Sequence, residues 1–393
     1  MSVRNILIAF AGLVIVGCTN SEKESDKSQL FELQLNIEGM VELELGNNYP
    51  SSFEIALWGE KKVIIGQDRR RNEVLIFDLN GSLLHRVSIP TINDPLGMNR
   101  ISDVKVINPD SILVYDSQFL RLGLFNPQSV MIDFWKLPEF WNGGASSANV
   151  GIVDAYVQEG DLLVELTAFE NIYPISQKEF YESSSLLHSI NLSERKVFSR
   201  LKYPKESPYR DELFYAGFSP SVVKTDKSYV VSFPFDHDIY VYGADLASYD
   251  VIVSRPNAFP DASGEPFGAQ QKNNDILITR KLNGFGLKMK NSFQMKSVGA
   301  CVIRVYREAL GNDDRIPNDR ASFSSKDFPP TFNLELFQIN QSNPKKIGEI
   351  LDISGKNLGN FIGQDDQGYL YFLEYNDLVE EPRIVKVSLT IQN

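Results

Sequence analysis

Hydrophobic positions along this chain fall in short runs, not at helical spacing. "KVIIG" (62–66), "EVLIFDL" (73–79), "SILVYD" (111–116), "DLLVELTAF" (161–169), "SYVVSF" (228–233), "DIYVYG" (238–243), "DILITR" (275–280), "CVIRVYR" (301–307), "NLELFQI" (333–339), "GYLYFL" (368–373) and "RIVKVSL" (383–389) are rich in Val, Ile, Tyr and Phe. Asn, Asp, Gly, Ser or Pro closes most of them, as expected of strands ended by turns. No sustained helical period appears; the nearest stretch, "SQKEFYESSSLL" (176–187), predicts two or three turns within a connection between strands. Several runs, "VLIF", "ILVY" and "YLYFL", are apolar at consecutive positions. A strand with one wet face alternates, so these strands need both faces of their sheet covered. The chain has no helices to do this, and other sheets must. Small antiparallel sheets packed radially, each against two neighbours, meet the requirement, which predicts an all-β chain folded as a β-propeller.

Blade-sized units can be laid out on that basis. Phe53 to Pro90 and Asn99 to Pro138 each hold three or four strands in the same order, and their phrases "LIFD" and "LVYD" place Asp78 and Asp116 in similar-looking positions. Further blades are expected at about 150–204, 216–256, 266–350 and 359–391, the third and fifth enlarged by insertions. The third should end in a hairpin formed by "HSINLSERKVFSRLKYP" (188–204). Six blades result, or seven if 266–350 holds two. "ELQLNIEGMVELELG" (32–46) is left over in front. It alternates like an edge strand, and the last blade is one strand short, so the amino-terminal strand is expected to complete that blade and close the ring.

The first residues follow different rules. Arg4 precedes an uncharged apolar run from Ile6 to Val16, which as a helix reaches only about 16 Å against a hydrocarbon core of about 30 Å and so does not span it. A charged start, a short apolar stretch and a small residue at its end have the form of a secretory signal. Ile15, Val16, Gly17 and Cys18 resemble the lipobox of bacterial lipoproteins. That resemblance implies cleavage before Cys18, diacylglyceryl attachment to its sulfur and acylation of the new amino terminus; two or more acyl chains suffice for stable anchoring. The expected divisions are a signal peptide at 1–17, a flexible tether at 18–29 and a single propeller domain at 30–393. Thr19 to Gln29 holds no apolar residue and cannot bury surface. Its acidic "SEKESD" loosely resembles the signal that sends Bacteroidetes lipoproteins to the outer face of the outer membrane; a plain tether fits equally well.

Losing Arg4 with the signal moves the formal net charge from −12 to −13. Nucleic acid is therefore excluded as a partner, since phosphate backbones call for a concentrated basic surface. The membrane partner is reached through the lipid anchor and not by electrostatic adhesion. Cys301, the second of two cysteines, reads as a buried thiol in a core strand. The domain is thus held by its hydrophobic core and not by disulfides.

Chemistry motifs are scarce. His85, His188 and His237 are far apart and form no zinc-like pair, so no metal site is assigned. "FDHDIY" (235–240) is either a hairpin turn with solvated aspartates or a loop contact to calcium or substrate, and His237 is retained as a candidate ligand contact. "DLNGS" (78–82) and "DDQG" (365–368) lack the full twelve-residue calcium loop and are read as turns. No nucleophile elbow, phosphate loop or dinucleotide fingerprint is present; no catalytic residue and no cofactor are assigned. Three features remain as candidates for binding. Arg69, Arg70 and Arg71 in "QDRRRNE" (67–73) are either a solvated turn or a seat for an anionic group. Trp135 and Trp141 in "DFWKLPEFWNGG" either cover a blade edge or offer a stacking platform to a sugar or peptide. The polar insertion at 308–330 is long enough for a flap.

A lipobox, an acidic tether and irregular blades with phrases such as "IFDLNG" together resemble the six-bladed propeller lipoproteins of Bacteroidetes, and "VIRVYREAL" (302–310) resembles the Tyr- and Arg-rich strand of the DUF4221 family, a domain of unknown function. The likeness implies a propeller fold, lipid anchoring and an outer-membrane location facing the periplasm or the cell surface, with no enzyme activity attached. The expected function is a non-catalytic module that binds a glycan, a peptide or an envelope protein. The alternative is a hydrolase or lyase using carboxylates near the channel, with Asp68, Asp116, Asp236 and Asp365 as the acidic groups that would have to converge. Anchoring is tested by fractionation: the processed protein should partition with membranes and into detergent, and Cys18→Ser should release it or leave the precursor uncleaved. An unaltered membrane-bound mature form of that variant would refute the anchor.

Overall fold

In the computed structural model of the chain, the described residues are 30–392 apart from 47, 49, 92–96, 99, 138–150, 168–172, 174–176, 211–212, 215–219, 234–235, 255–264, 267–290, 308–330, 340–342 and 375–380. Strand β1 (Glu32–Glu42) stands first. Blade one follows as β2 (Ser52–Trp58), β3 (Lys61–Asp68), β4 (Glu73–Phe77) and β5 (Leu83–Ser88), and blade two as β6 (Asp103–Asn108), β7 (Ser111–Asp116), β8 (Arg121–Phe125) and β9 (Met131–Lys136). Blade three is β10 (Ile152–Gln158), β11 (Asp161–Thr167), β12 (Ser185–Asn191) and β13 (Lys196–Lys202), with helix α1 (Lys178–Ser183) between its second and third strands. After the two-residue β14 (Leu213–Phe214) comes blade four, β15 (Ser221–Lys224), β16 (Ser228–Ser232), β17 (Ile239–Gly243) and β18 (Tyr249–Ile252). The short β19 (Glu265–Pro266), which pairs with β14, precedes blade five, β20 (Asn291–Val298), β21 (Cys301–Arg307), β22 (Phe332–Gln338) and β23 (Lys345–Ile350). Blade six has β24 (Leu358–Gln364), β25 (Leu370–Glu374) and β26 (Arg383–Gln392), and β1 is its fourth, outermost strand.

Among the described residues these make six four-stranded antiparallel sheets. Their first strands touch in the cycle β2–β6–β10–β15–β20–β24–β2, so the ring is closed with six blades and 266–350 supplies one of them. Antiparallel order fixes the two ends of the ring. Second and third strands join at one end, hereafter the upper end, where the crossovers between blades also lie; the remaining hairpin turns and the start of β1 lie at the lower end.

The consecutive apolar runs divide as two-sided burial requires. Within β4, Val74 and Ile76 belong to the cluster shared with Val104, Ile112 and Phe125 of blade two, whereas Leu75 and Phe77 pack with Ile362, Tyr371 and Ile384 of blade six. All four are fully buried, and each such side chain contributes roughly 1.5–3 kcal/mol. Blade two repeats the division: Ile112 and Val114 face blade one, Leu113 and Tyr115 face blade three.

Strand β1 reaches both neighbours of its blade through a defect. Its ladder with β26 runs from Glu32↔Gln392 to Glu42↔Arg383, with a register shift between Ile37 and Gly39. Before the shift Leu33 and Leu35 pack in the cluster of blades five and six; after it Val41 packs in the cluster of blades six and one. One extra residue turns the odd positions to the other face, as a bulge must. Ile37, at the shift, is left exposed.

Aspartates and asparagines end the strands. The Asp68 carboxylate accepts the N–H groups of Arg70 and Arg71, and that of Asp116 accepts those of Gln118 and Phe119. Asp68 and Asp116 are therefore the equivalent pair, each closing a second strand at the upper end. Asp78 follows a third strand at the lower end, where it caps the turn to Ser82, so its likeness to Asp116 in sequence is not positional equivalence. Gly81 in that turn has φ +96°, and a Cβ there would meet the Glu42 carbonyl oxygen at 2.0 Å. "DDQG" is likewise a turn, capped by Asp365 on the N–H groups of Gln367 and Tyr369.

The expected two or three helical turns are realised as the six residues of α1. Its would-be last turn is taken by β12, because Leu186 and Leu187 are fully buried as strand residues. The amino-terminal strand provides the test of closure. Deleting 19–29 should leave thermal unfolding unchanged, whereas deleting 19–46 removes the burial of Leu33, Leu35 and Val41 and exposes the edge of β26, at a cost on the order of 5 kcal/mol. Equal unfolding temperatures for the two truncations would rule the closure out.

Candidate functional site: the charged central channel

The first strands of the blades set polar side chains around the ring axis. On β2, Ser52 and Glu54 share a face with Ala56 and Trp58, and that face looks toward blade two. Gln67 stands opposite Ser52 on the paired strand β3 and has the same orientation as Val63 and Ile65. Arg69 follows in the upper turn and its Nη2 donates to the carbonyl of Ser102, 3.3 Å away on blade two. Blade one thus turns residues that are separate in sequence toward blade two.

Asp103, the first residue of β6, belongs to the same charged group. Its Oδ2 accepts the N–H of Ile152 at 2.7 Å and its Oδ1 that of Val104 at 2.8 Å. The close approach to blade three depends on Gly151, where a Cβ would stand 2.9 Å from Oδ2. Burial, with the nearby Glu54 carboxylate, pushes the Asp103 carboxyl up to about 6, against the two backbone N–H groups and Lys105. Burial and the neighbouring Arg100 lower Arg69, with Asp103 opposing. Burial also lowers Lys296 of β20, helped by Lys105 and opposed by Glu54 and Asp103; its Nζ lies 3.7 Å from Glu54 Oε2.

Toward the lower end two adjoining cavities of about 330 and 360 Å³ open on the axis, and Lys105 and Asp154 line both. Lys224 Nζ is 3.0 Å from Asp154 Oδ2 and 3.2 Å from Glu165 Oε2. Burial works against its charge, yet Asp154 and Glu165 hold it above the ordinary lysine range.

On the side of blade one that faces blade two, several enclosed side-chain atoms lack a hydrogen-bond partner: Ser52 Oγ, Glu54 Oε1, Gln67 Oε1 and Arg69 Nε.

The sequence-derived candidates are placed as follows. Arg69 is half-buried in the upper turn of blade one and reaches the Ser102 carbonyl of blade two. Arg70 and Arg71 are exposed, and Arg71 Nη1 donates to Asn48 Oδ1 at 3.3 Å. Trp135 is on the outer strand β9, partly buried against the cluster between blades two and three, and the structure does not bring it to the arginines. His237 lies in an upper turn of blade four. Its carbonyl accepts Arg304 Nη2 at 2.9 Å, and its ring stands 3.9 Å from Asp236 and 3.6 Å from Asp238. The three residues offer ligand atoms within 4.8 Å of one another, but Asp236 is already engaged by Ser207 Oγ, Tyr240 OH and the Asp238 N–H. Cys18, Trp141 and the insertion 308–330 lie outside the described residues. Of the carboxylates named with the alternative reading, Asp68 and Asp116 cap upper turns and Asp365 is at the lower end, beside Tyr371 and Lys386. The acidic groups of the channel are Glu54, Asp103 and Asp154, which sequence reasoning missed. Its faint signal was a polar residue at matching places in "SFEIALW" and "SDVKVI".

The Tyr- and Arg-rich strand β21 has another role. Arg304, fully buried between blades four and five, donates from Nε to Glu335 Oε2 at 2.8 Å and from Nη1 to Ser232 Oγ at 3.2 Å. Lys346 Nζ reaches the other Glu335 oxygen at 2.8 Å. Burial pushes Glu335 up, but Arg304 and Lys346 outweigh it and the carboxyl lies below its ordinary value.

Fold and channel define the class of protein: a six-bladed β-propeller with a mixed-charge axial channel. No family model matches the sequence, and no curated protein matches it. Among solved structures, a member of the DUF4221 family from Bacteroides vulgatus superposes with TM-score 0.66 at 15% identity, over 93% of this chain and 100% of that one. A protein from Bacteroides fragilis whose name proposes that it is exported superposes with TM-score 0.52 at 12% identity, over 92% and 96%. A virginiamycin B lyase from Staphylococcus aureus gives TM-score 0.43 at 12% identity, over 92% and 100%, too remote to bear on chemistry. The first two likenesses establish the fold, and the resemblance to DUF4221 drawn from the sequence is met by a structural match to a member of that family.

Asp103 supplies the measurement for this site. Carbon-detected NMR should find its carboxyl titrating near pH 6. Glu54→Gln removes a raising charge and should lower that midpoint; Lys105→Met removes a lowering charge and should raise it. An Asp103 midpoint near 4, unmoved by either change, would contradict the arrangement.

Proposed function

We propose that the chain is a non-catalytic binding module of the cell envelope, anchored through lipidated Cys18 in the outer membrane, with its ligand site in the channel. The observation that carries this reading is the pair of adjoining cavities of about 330 and 360 Å³ that Lys105 and Asp154 both line, with Glu54 in one and Lys224 in the other. A concave space with a few convergent polar groups is the usual form of a small-molecule site. The state of the carboxylates supports binding over catalysis: Asp154 is paired with Lys224, Glu54 stands beside Lys296, and both oxygens of Asp103 accept backbone N–H groups. The likeness to a protein proposed to be exported supports an envelope location.

A hydrolase or lyase remains the second reading, and one observation favours it. The Asp103 carboxyl, pushed up to about 6 by burial and by the nearby Glu54 carboxylate, lies where a group can both take up and give up a proton. Both readings meet one experiment. The purified protein is equilibrated with soluble envelope extract, desalted and denatured, and the released small molecules are identified. A compound released by wild type and absent from Lys105→Met/Asp154→Asn is expected; equal release from both would sink the channel reading. Extract material that wild type alters and Asp103→Asn leaves intact would transfer the assignment to the enzyme.

A further inference from the structure

The two cavities at the lower end differ in their linings. The one of about 360 Å³ is walled mostly by apolar residues, with Ala56 and Val106 on faces turned between blades one and two, and Ile107 and Ala155 on faces turned between blades two and three. The one of about 330 Å³ is more polar and takes Lys224, Thr225, Asp226 and Ser297 from blades four and five. Leu57, Asn108, Asp226 and Ser297, at or beside the first hairpin turn of their blades, are exposed, so both spaces are reached from the lower mouth. Each volume lies at the small end of the roughly 300–1,000 Å³ of small-molecule sites, which suits a small compound and not a polymer.

The charges of the lining leave one over. Asp154 is matched by Lys224 at 3.0 Å and also accepts the N–H of Ala155 at 2.9 Å, and Glu54 is matched by Lys296 at 3.7 Å. Asp226 is exposed at the rim, where water solvates it. Lys105 lines both cavities and is half-buried, yet among the described residues its ammonium enters no ion pair and no hydrogen bond. Unlike Ser52 Oγ and Gln67 Oε1, its Nζ is not enclosed. Asp103, two residues before it, turns its oxygens to backbone N–H groups instead. A cation entering the junction of the cavities is repelled by this unmatched charge, and a neutral molecule leaves it unmatched. A dianion would meet Asp154, Glu54 and Asp226 with one free cation to hold it. A single carboxylate pairs with Lys105 through a charge-assisted hydrogen bond.

We propose that the lower channel binds a small monocarboxylate with an apolar body, its carboxylate on Lys105 and its hydrocarbon among Ala56, Val106, Ile107 and Ala155. This deepens the binding reading above and rests on it.

Calorimetry and thermal shift on the full folded domain test it, with butyrate, isovalerate, hexanoate and phenylacetate as probes and hexanol and hexylamine as their uncharged and cationic counterparts. At least one carboxylate should bind saturably, and neither counterpart should. Lys105→Met should weaken that carboxylate by about tenfold, the effect of losing a charged hydrogen-bond partner, and Lys105→Arg should keep most of the binding. Ala56→Leu, which adds bulk to the apolar space and removes no polar atom, should abolish it, and Phe198→Ser on the exposed outer strand of blade three should leave it unchanged. Near-ultraviolet circular dichroism of each variant establishes that it is folded. Absence of binding by every carboxylate overturns the proposal, as does binding that Lys105→Met leaves intact. Failure here is distinct from failure of the channel reading: a compound captured from extract that Ala56→Leu excludes and Lys105→Met retains overturns the carboxylate and keeps the channel, whereas one that both variants retain overturns both.

Discussion

The structure depends on one constraint: the middle strands of each sheet are apolar on both faces. Val74 to Phe77 can be removed from water only if sheets stand on either side, and each of those sheets makes the same demand of its next neighbour. An open stack would leave two apolar faces wet, so the stack curls until its ends meet. Ring closure is thus the solution to a burial problem repeated in every blade. The demand is met least by hydrocarbon between blades four and five, where the apolar cluster is the smallest of those described. Here Arg304, Glu335 and Lys346 join the sheets instead. Buried ion networks of this kind need every partner in place, because removing one leaves an uncompensated charge, a loss of about 3–5 kcal/mol.

Closure also creates the channel. First strands have fewer neighbours than the middle ones, and their polar residues come together only because six edges converge on one axis. Charges of both signs interleave there: carboxylates of blades one, two and three face lysines of blades two, four and five. Side chains placed on strands of a closed ring are held more rigidly than loop residues, which suits a preorganised site.

The sequence made the scaffold legible and the site mostly not. Consecutive apolar residues in "VLIF" and "ILVY" announce two-sided burial, and the turn residues after them mark the blades. The alternating segment before blade one correctly foretold the strand that completes blade six. The site is another matter. Glu54, Lys105 and Asp154 look like ordinary polar members of exposed strands, and only the closing of the ring brings them to a common cavity. The arginine cluster was visible because it is contiguous, but its members have different fates: Arg69 turns in and Arg70 and Arg71 turn out. Trp135, visible for its size, packs one side against the cluster between blades two and three and also lines a cavity of about 530 Å³ beside it.

The antiparallel pairing of β1 with β26 has a mechanical side. Because β1 runs antiparallel to β26 from Glu32 to Glu42, a pull directed along its axis would act along the strand and not across it. The whole ladder is then loaded in shear, with many hydrogen bonds resisting together, whereas a pull across the pairing would peel them one at a time. The strand that seals the ring thus also gives it a long seam able to share a lengthwise load.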